Sequence, residues 1–269
     1  MEPIRIDDPD DASLDAVRAL RGPDRHLRSQ GLVVVEGFTI VDRLLRQGAP
    51  LRQAVVTPSS WDRLGPLLTE RDVPTVLVDR ATLATAAGFD VHRGVLAVLD
   101  EPAPASWDTV THTAGTVMVV EALNDAENLG ALMRSAWALG VDAVVLDPTT
   151  LDPYGRRVVR VSMGAVLELA IVRAAVWPDA LDELRQCGVH VVGLTPRHDA
   201  ISLAEWRVAA QDRVAIMVGA EGPGLSAAAL DRVHTALRIP MRPGVDSLNV
   251  AHAGAIVLAA LNRAPTISS

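Results

Sequence analysis

LRIPMRPGVDSLNVAHAGAIVLAAL, residues 237–261, is the stretch whose reading decides the fold. It opens as a short apolar strand that stops at Ile239-Pro240. A loop containing Pro243 and Gly244 follows, as a Pro/Gly pair between two apolar runs predicts. The polar run Asp246-Ser247-Leu248-Asn249 then leads into a long apolar helix, expected over 250–263. Either Ser247 or Asn249 suits the cap of that helix, because a short polar side chain accepts a free first-turn N–H. A Ser-x-Asn pair ahead of a buried helix is otherwise unusual, which makes both residues candidates for chemistry. His252 lies too near Asp246 and Ser247 in sequence for the three to form a nucleophilic triad.

Upstream, VAIMVGAEGPGLS (214–226) runs from an apolar strand into Gly219, Gly222 and Gly224 and then into a helix. Glycines at a strand end leave a backbone able to wrap a flat ligand. Their order is not G-x-G-x-x-G, so this is not the dinucleotide fingerprint. Glu221 sits inside the turn, with capping of the following helix as its simplest role. Farther back, NDAENLGALMRSAWALG (124–140) joins a strand end to a helix expected to start near Asn128, itself a good cap. Arg134 follows Gly130 by one helical turn, which sets both on one face. A guanidinium there can hold a phosphate through two parallel N–H bonds.

Around these segments, strand-like and helix-like runs alternate, the α/β pattern. Strands are expected at 32–36, 53–57, 75–78 and 94–99, with helices at 38–47, 61–70 and 80–87. After them, EPAPASWDTVTHTAG (101–115) has no sustained period and reads as a linker. A second set of strands is expected at 117–123, 143–146, 169–173, 190–195, 214–219 and 235–239. Helices are expected at 129–139, 179–187 and 226–233, ahead of the final one. The division is therefore 1–104, a linker at 105–115, and 116–269. With 49% hydrophobic residues but 3% aromatics, the core must be aliphatic, which suits a parallel sheet covered on both faces.

Composition also excludes chemistry. All 25 basic residues are arginine, which removes P-loop, Schiff-base and Ser-x-x-Lys mechanisms. The single cysteine, Cys187, rules out an internal disulfide and a cysteine zinc site, and fits a reducing compartment. The acidic start MEPIRIDDPDD is unlike a signal peptide, and no apolar run approaches a membrane span. A cytoplasmic protein with no membrane or metal partner is expected. The net charge of −8 disfavours general nucleic-acid binding. Local arginine groups count for more than the total. They are Arg21, Arg25 and Arg28; Arg156, Arg157 and Arg160; and Arg197 with Arg242. They are expected to form a basic cleft between the domains.

Taken together, the three segments resemble the motifs of the SpoU family of RNA ribose methyltransferases, within the SPOUT superfamily. Asn128-x-Gly130-x-x-x-Arg134 is similar to the first motif and Gly219-Ala220-Glu221-Gly222-Pro223-Gly224-Leu225 to the second. Ile239-Pro240-Met241 with Asp246-Ser247-Leu248-Asn249-Val250 is similar to the third. Arg160 to Ala165 also resembles a recurrent family stretch. Val35-Glu36-Gly37 and His92 to Ala97 resemble, more loosely, a small substrate-binding domain that precedes the catalytic one.

The resemblance implies an α/β fold: a C-terminal trefoil-knot domain with a smaller N-terminal α/β substrate-binding domain. It implies S-adenosyl-L-methionine as cofactor, held by Thr195, Gly219, Ala220, Glu221, Gly222, Ile239, Pro240, Met241, Leu248 and Asn249. It implies a homodimer acting on ribosomal or transfer RNA, with the active site at the protomer interface. Arg134, Asn128, Glu221, Ser247 and Asn249 become the catalytic candidates. An arginine keeps its proton at neutral pH, so Arg134 is read as a phosphate anchor and alkoxide stabiliser rather than a base. Asn128 would orient that contact, Ser247 and Asn249 would bond the ribose or Arg134, and Glu221 would fix the second loop and touch Arg134 or substrate. Two other readings compete. A non-catalytic RNA-binding protein on the same scaffold leaves the intact polar set unexplained. A two-domain nucleotide-binding oxidoreductase lacks the glycine fingerprint and gives no reason for Asp-Ser-Leu-Asn.

Overall fold

The structure, a computed structural model, describes residues 2–206 and 213–261. The chain divides into two compact units: Met1–Pro102 with Tyr154–Gly164, and Ala103–Pro153 with Ala165–Ser269. The first is built on β1 (Ile4–Arg5), β2 (Leu32–Glu36), β3 (Leu51–Val56), β4 (Thr75–Leu77) and β5 (Val95–Asp100). They line up as β1-β4-β3-β5-β2, with β5 antiparallel to both its neighbours. Helices Phe38–Gln47, Pro58–Glu70 and Arg80–Ala87 match the periodicity of the sequence. The two-residue β1 is too short to show a period, and it forms only because β4 offers an open edge.

Tyr154–Gly164 falls inside the range expected for the second domain, yet its helix, Arg156–Val161, packs on β2 of the first unit. Its first N–H donates to Asp24 Oδ2 at 2.8 Å, and the Arg156 guanidinium lies 4.4 Å from the centre of the Phe89 ring. Two other arginines of the expected basic clusters also hold this unit together. Arg21 donates to the Ala86 carbonyl at 3.0 Å, and Arg28 pairs with Glu101 and stacks on Tyr154.

The second unit carries a wholly parallel seven-stranded sheet. Its strands are β6 (Thr116–Val120), β7 (Ala143–Leu146), β8 (Ala170–Arg173), β9 (Val189–Leu194), β10 (Ile201–Ser202), β11 (Arg213–Val218) and β12 (Thr235–Arg238). The order is β10-β12-β9-β11-β6-β7-β8. From β6 the chain steps outward through β7 to β8, then crosses to the other side of β11. That reversal opens a crevice beyond the carboxyl ends of the central strands, where open α/β sheets bind ligands. Every residue of β6 and β7 is buried, as a strand covered on both faces requires.

Helix Val250–Ala260 packs on β11 and on helix Ala126–Ala138. The two helices approach closely at Gly254, where an added Cβ would stand 2.6 Å from Leu132 Cδ1. Asn262 and Arg263, the expected end of the last helix, lie outside the described residues. The segment read as a linker is no open tether. Val110 and Ala114 are buried in the core of the second unit. Arg213 ties the segment down by donating to the carbonyls of Val110, Thr111 and Ala114.

One buried carboxylate shapes the turn that leaves β6. Asp147, at the end of β7, accepts the N–H of Ala122 at 2.9 Å, where the backbone takes a left-handed φ of 56°. Burial pushes the Asp147 carboxyl up. Hydrogen bonds from the Thr149 and Thr150 side chains and from the Ala122 and Thr149 N–H groups outweigh that effect and hold it below the ordinary value. The unfolded chain therefore takes up the proton first. The stability this group contributes is complete above the ordinary aspartate pKa of about 3.9 and is lost as pH falls through the lower folded value. Urea unfolding between pH 6 and pH 2.5 is expected to show an acid limb that Asp147→Asn flattens, with the variant already less stable at pH 7. An unchanged limb would remove Asp147 from this role.

Candidate active site

The crevice beyond β9, β11 and β12 is a cleft of about 320 Å³, within the usual range for small-molecule sites. Three loops form it: the exit of β9 at Thr195, the glycine loop after β11, and the segment from Ile239 to Val250. Of the residues expected to hold a cofactor, Thr195, Gly219, Ala220, Glu221, Gly222, Ile239, Met241, Leu248 and Asn249 line the cleft. Pro240 is not among them, and Ser247 is. Leu194, Leu237, Val250 and Ala253 give the inner wall an apolar surface. Glu221, Ser247 and Asn249 supply polar groups.

The glycine loop is closed on itself. The Gly224 N–H donates to the Ala220 carbonyl at 3.0 Å, and the two residues form an antiparallel bridge. Gly219 has no room for a side chain, since an added Cβ would lie 2.3 Å from the Gly224 carbonyl carbon. Gly219 thus lines the cleft and at the same time packs against its own loop, which is what requires a glycine there. Gly222 and Gly224 answer a different need, having φ of 85° and 69° with open space at the Cβ position.

A chain of hydrogen bonds joins the three distant segments. Asn249 caps the last helix, its Oδ1 accepting from the N–H groups of Ala251 and His252 at 3.0 and 3.3 Å. Its Nδ2 donates to Asn128 Oδ1 at 2.6 Å, and Asn128 Nδ2 donates in turn to Glu221 Oε1. Every donor points the same way, from the helix N-terminus toward the carboxylate, so each bond polarises the next.

Two cap assignments are thereby corrected. The cap of helix Ala126–Ala138 is Asp125, whose side chain accepts from the Asn128 N–H at 2.8 Å. Asn128 is inside the helix, with its amide free for Glu221 and Asn249. Likewise, Ser226 rather than Glu221 caps the helix after the glycine loop.

Arg134 stands apart. It is exposed, does not line the cleft, and makes no hydrogen bond or ion pair among the described residues. Helix geometry explains this. Six residues at about 100° each turn Arg134 roughly 120° away from Asn128 around the axis. Gly130 lies one turn before Arg134, about 40° away around the axis, but it is buried while Arg134 is exposed, so the two do not open onto one pocket. The bonds expected from Glu221, Ser247 or Asn249 to Arg134 are absent among the described residues. Arg197 is held by Asp199, its Nη2 lying 2.7 Å from Oδ2.

Sequence reading missed Glu121. It is 5% exposed at the end of β6. It accepts from the Ser226 N–H (2.8 Å), Ser226 Oγ (2.7 Å) and Trp177 Nε1 (2.7 Å). A carboxylate one residue past a run of five buried residues was the available signal. Among the described residues no group of three or more His, Cys, Asp or Glu side chains could hold a metal ion, and no helix is long and apolar enough to cross a membrane.

Comparison with known proteins agrees with this geometry. The model of the SpoU rRNA methylase family matches residues 115–259, and that of RNA 2'-O ribose methyltransferase substrate binding matches 34–105. An uncharacterized tRNA/rRNA methyltransferase of Mycobacterium tuberculosis is 40% identical over 253 residues, 93% of this chain and 88% of the relative. A 23S rRNA (guanosine(2553)-2'-O)-methyltransferase of Bacillus subtilis is 33% identical over 84% of this chain and 86% of its own length. The crystal structure of an AdoMet-bound rRNA methyltransferase from Sinorhizobium meliloti shares the fold, with a TM-score of 0.80 at 23% identity over 97% and 98% of the two chains. Sequence motifs, strand order and the convergence of three loops on one cleft thus lead to one conclusion: this chain belongs to the SpoU rRNA methylase family.

Proposed function

We propose that this protein is an S-adenosylmethionine-dependent RNA 2'-O-ribose methyltransferase. The observation that carries the reading is the single cleft made by the exits of β9, β11 and β12, with Glu221, Asn128 and Asn249 bonded in series at its rim. The cleft suits the cofactor: Leu194, Leu237, Val250 and Ala253 offer apolar contact to an adenine, and the loop backbones offer N–H and carbonyl groups to its edge. When bound, the cofactor supplies an electrophilic methyl group on a sulfonium, so the chemistry needs no metal. What remains for the protein is to align a ribose hydroxyl and favour loss of its proton. Alignment alone is worth roughly 7–11 kcal/mol in favourable cases. Arg134 binds the neighbouring phosphate and stabilises the alkoxide as it forms. The bonded series through Asn128 keeps the Glu221 carboxylate at the mouth of the cleft.

The working unit in this proposal is a homodimer, with a second copy completing the surroundings that Arg134 lacks in its own chain. Helices Ala126–Ala138 and Val250–Ala260 leave the large apolar side chains of Trp137 and Ile256 39% and 41% exposed, and a second copy would cover them. We also infer that the C-terminal chain is threaded. β12 lies beyond β9, yet the helix that follows it returns to β11 and to helix Ala126–Ala138. Such threading is rare among folds.

Incubation of the purified protein with radiolabelled S-adenosylmethionine and total RNA, followed by alkaline hydrolysis, tests the activity. The expected product is an alkali-resistant dinucleotide carrying label on the ribose. Label on a base, or none with any ribosomal or transfer RNA, would reject the proposal. RNA affinity is expected to fall steeply with salt, and a flat response would argue against phosphate contacts.

A further inference from the structure

We propose that Glu121 is a positioning residue for the cofactor, acting through the glycine loop; this rests on the cofactor reading above. Its carboxylate lies at the end of β6 and is almost wholly buried. Three donors converge on it: the backbone N–H and the hydroxyl of Ser226, and the indole N–H of Trp177. Ser226 is the residue where the glycine loop ends and helix Ala227–Leu230 begins. Val218 fixes the other end of the loop, because β11 pairs with β6 from Val214 to Val218. The Glu121 N–H itself donates to the Val218 carbonyl at 2.9 Å. One residue therefore grips both ends of the loop: its backbone holds the entry and its side chain holds the exit.

The loop between those grips contributes Gly219 to Gly224 to the cleft wall. Gly222 and Gly224, with left-handed backbone and no side chain to pack, do not stiffen it. The order of the loop has to come from its ends, from the Ala220–Gly224 bridge and from the bond that Asn128 donates to Glu221. Trp177 adds a second constraint. Its indole N–H takes up one lone pair of Glu121 Oε1, and its ring packs on the core beneath the sheet. Glu121 is consequently not free to swing toward solvent and release Ser226. A cleft wall held in this way binds its ligand without first having to be ordered, which raises affinity without touching the reacting atoms.

Glu121→Gln is the direct test. The glutamine amide keeps one acceptor oxygen but turns an NH2 group toward donors, so at least one of the three bonds is lost. Calorimetric titration with S-adenosylhomocysteine is expected to show affinity weakened by about tenfold, the usual scale for a lost bond to a charged group. KM for S-adenosylmethionine is expected to rise in step, while kcat at saturating cofactor stays within about twofold, the signature of lost ground-state binding. Ser226→Ala and Trp177→Phe each remove one donor and keep the carboxylate. Each is expected to weaken binding by about threefold, and Glu121→Gln combined with Ser226→Ala to be clearly less than additive. If Glu121→Gln fails to fold, these two single variants carry the test. Unchanged affinity in folded variants, or a fall in kcat with KM constant, would overturn the proposal while leaving the methyltransferase reading intact. Failure of the wild-type protein to bind S-adenosylhomocysteine would overturn both.

Discussion

Replacing Arg134 with alanine is expected to abolish methyl transfer while leaving cofactor affinity nearly unchanged. Arg134 is exposed and outside the cleft, so truncating it removes nothing from the cofactor wall. It also removes no polar contact of the fold, because no hydrogen bond or ion pair within the described residues depends on it. What disappears is the cation available to the RNA phosphate and to the oxygen that acquires charge. Loss of one such electrostatic partner costs on the order of 100- to 1,000-fold in kcat. Arg134→Lys is expected to recover only a small part, since an ammonium restores the charge without the planar fork. Single-turnover methylation under saturating RNA, paired with titration of S-adenosylhomocysteine, separates the two effects. Lost cofactor binding with turnover preserved would reverse the assignment.

Gly219→Ala is expected to do the opposite, and more severely than its size suggests. Even a single methyl would sit 2.3 Å from the Gly224 carbonyl carbon and 2.5 Å from the Leu225 nitrogen. Both are backbone atoms held by the Ala220–Gly224 bridge and, a residue further on, by the Glu121–Ser226 bonds. Nothing there is a flexible side chain that can swing aside, so the loop must open. Overpacking of this kind costs roughly 1–3 kcal/mol, and sometimes more. Because the opened loop is the cleft wall, cofactor affinity is expected to fall by at least about a hundredfold, the equivalent of about 2.7 kcal/mol. Gly222→Ala makes a sharp control. Its Cβ meets open space, and the cost is that of a left-handed backbone alone, roughly 1–2 kcal/mol. Wild-type affinity in Gly219→Ala would show that the loop rearranges without consequence for the cofactor.

Much of the architecture was legible along the chain. The strands expected at 117–123, 143–146 and 214–219 formed as Thr116–Val120, Ala143–Leu146 and Arg213–Val218, because a strand interior buried on both faces must be a run of apolar residues, and that is a local property; the first stops short of its expected end, since the chain turns after Val120. The three loop segments could be named from their own residues for the same reason, as a Ser-x-Asn ahead of a helix or three glycines after a strand need no distant partner to be noticed. The pairing of those segments was another matter. Asn128 and Asp125 are both good caps, and local chemistry does not choose between them. The choice falls to Asp125 because Glu221 and Asn249, 93 and 121 residues away, claim the Asn128 amide. Glu121 looks like an ordinary residue at a strand end until Trp177 and Ser226, 56 and 105 residues on, are brought against it. Helix Arg156–Val161 carries no mark of the unit in which it packs, and the segment before β6 carries no mark of the arginine that anchors it. Backbone periodicity and turn chemistry are written residue by residue. Which polar group satisfies which is settled by distance in space, and folding creates those distances.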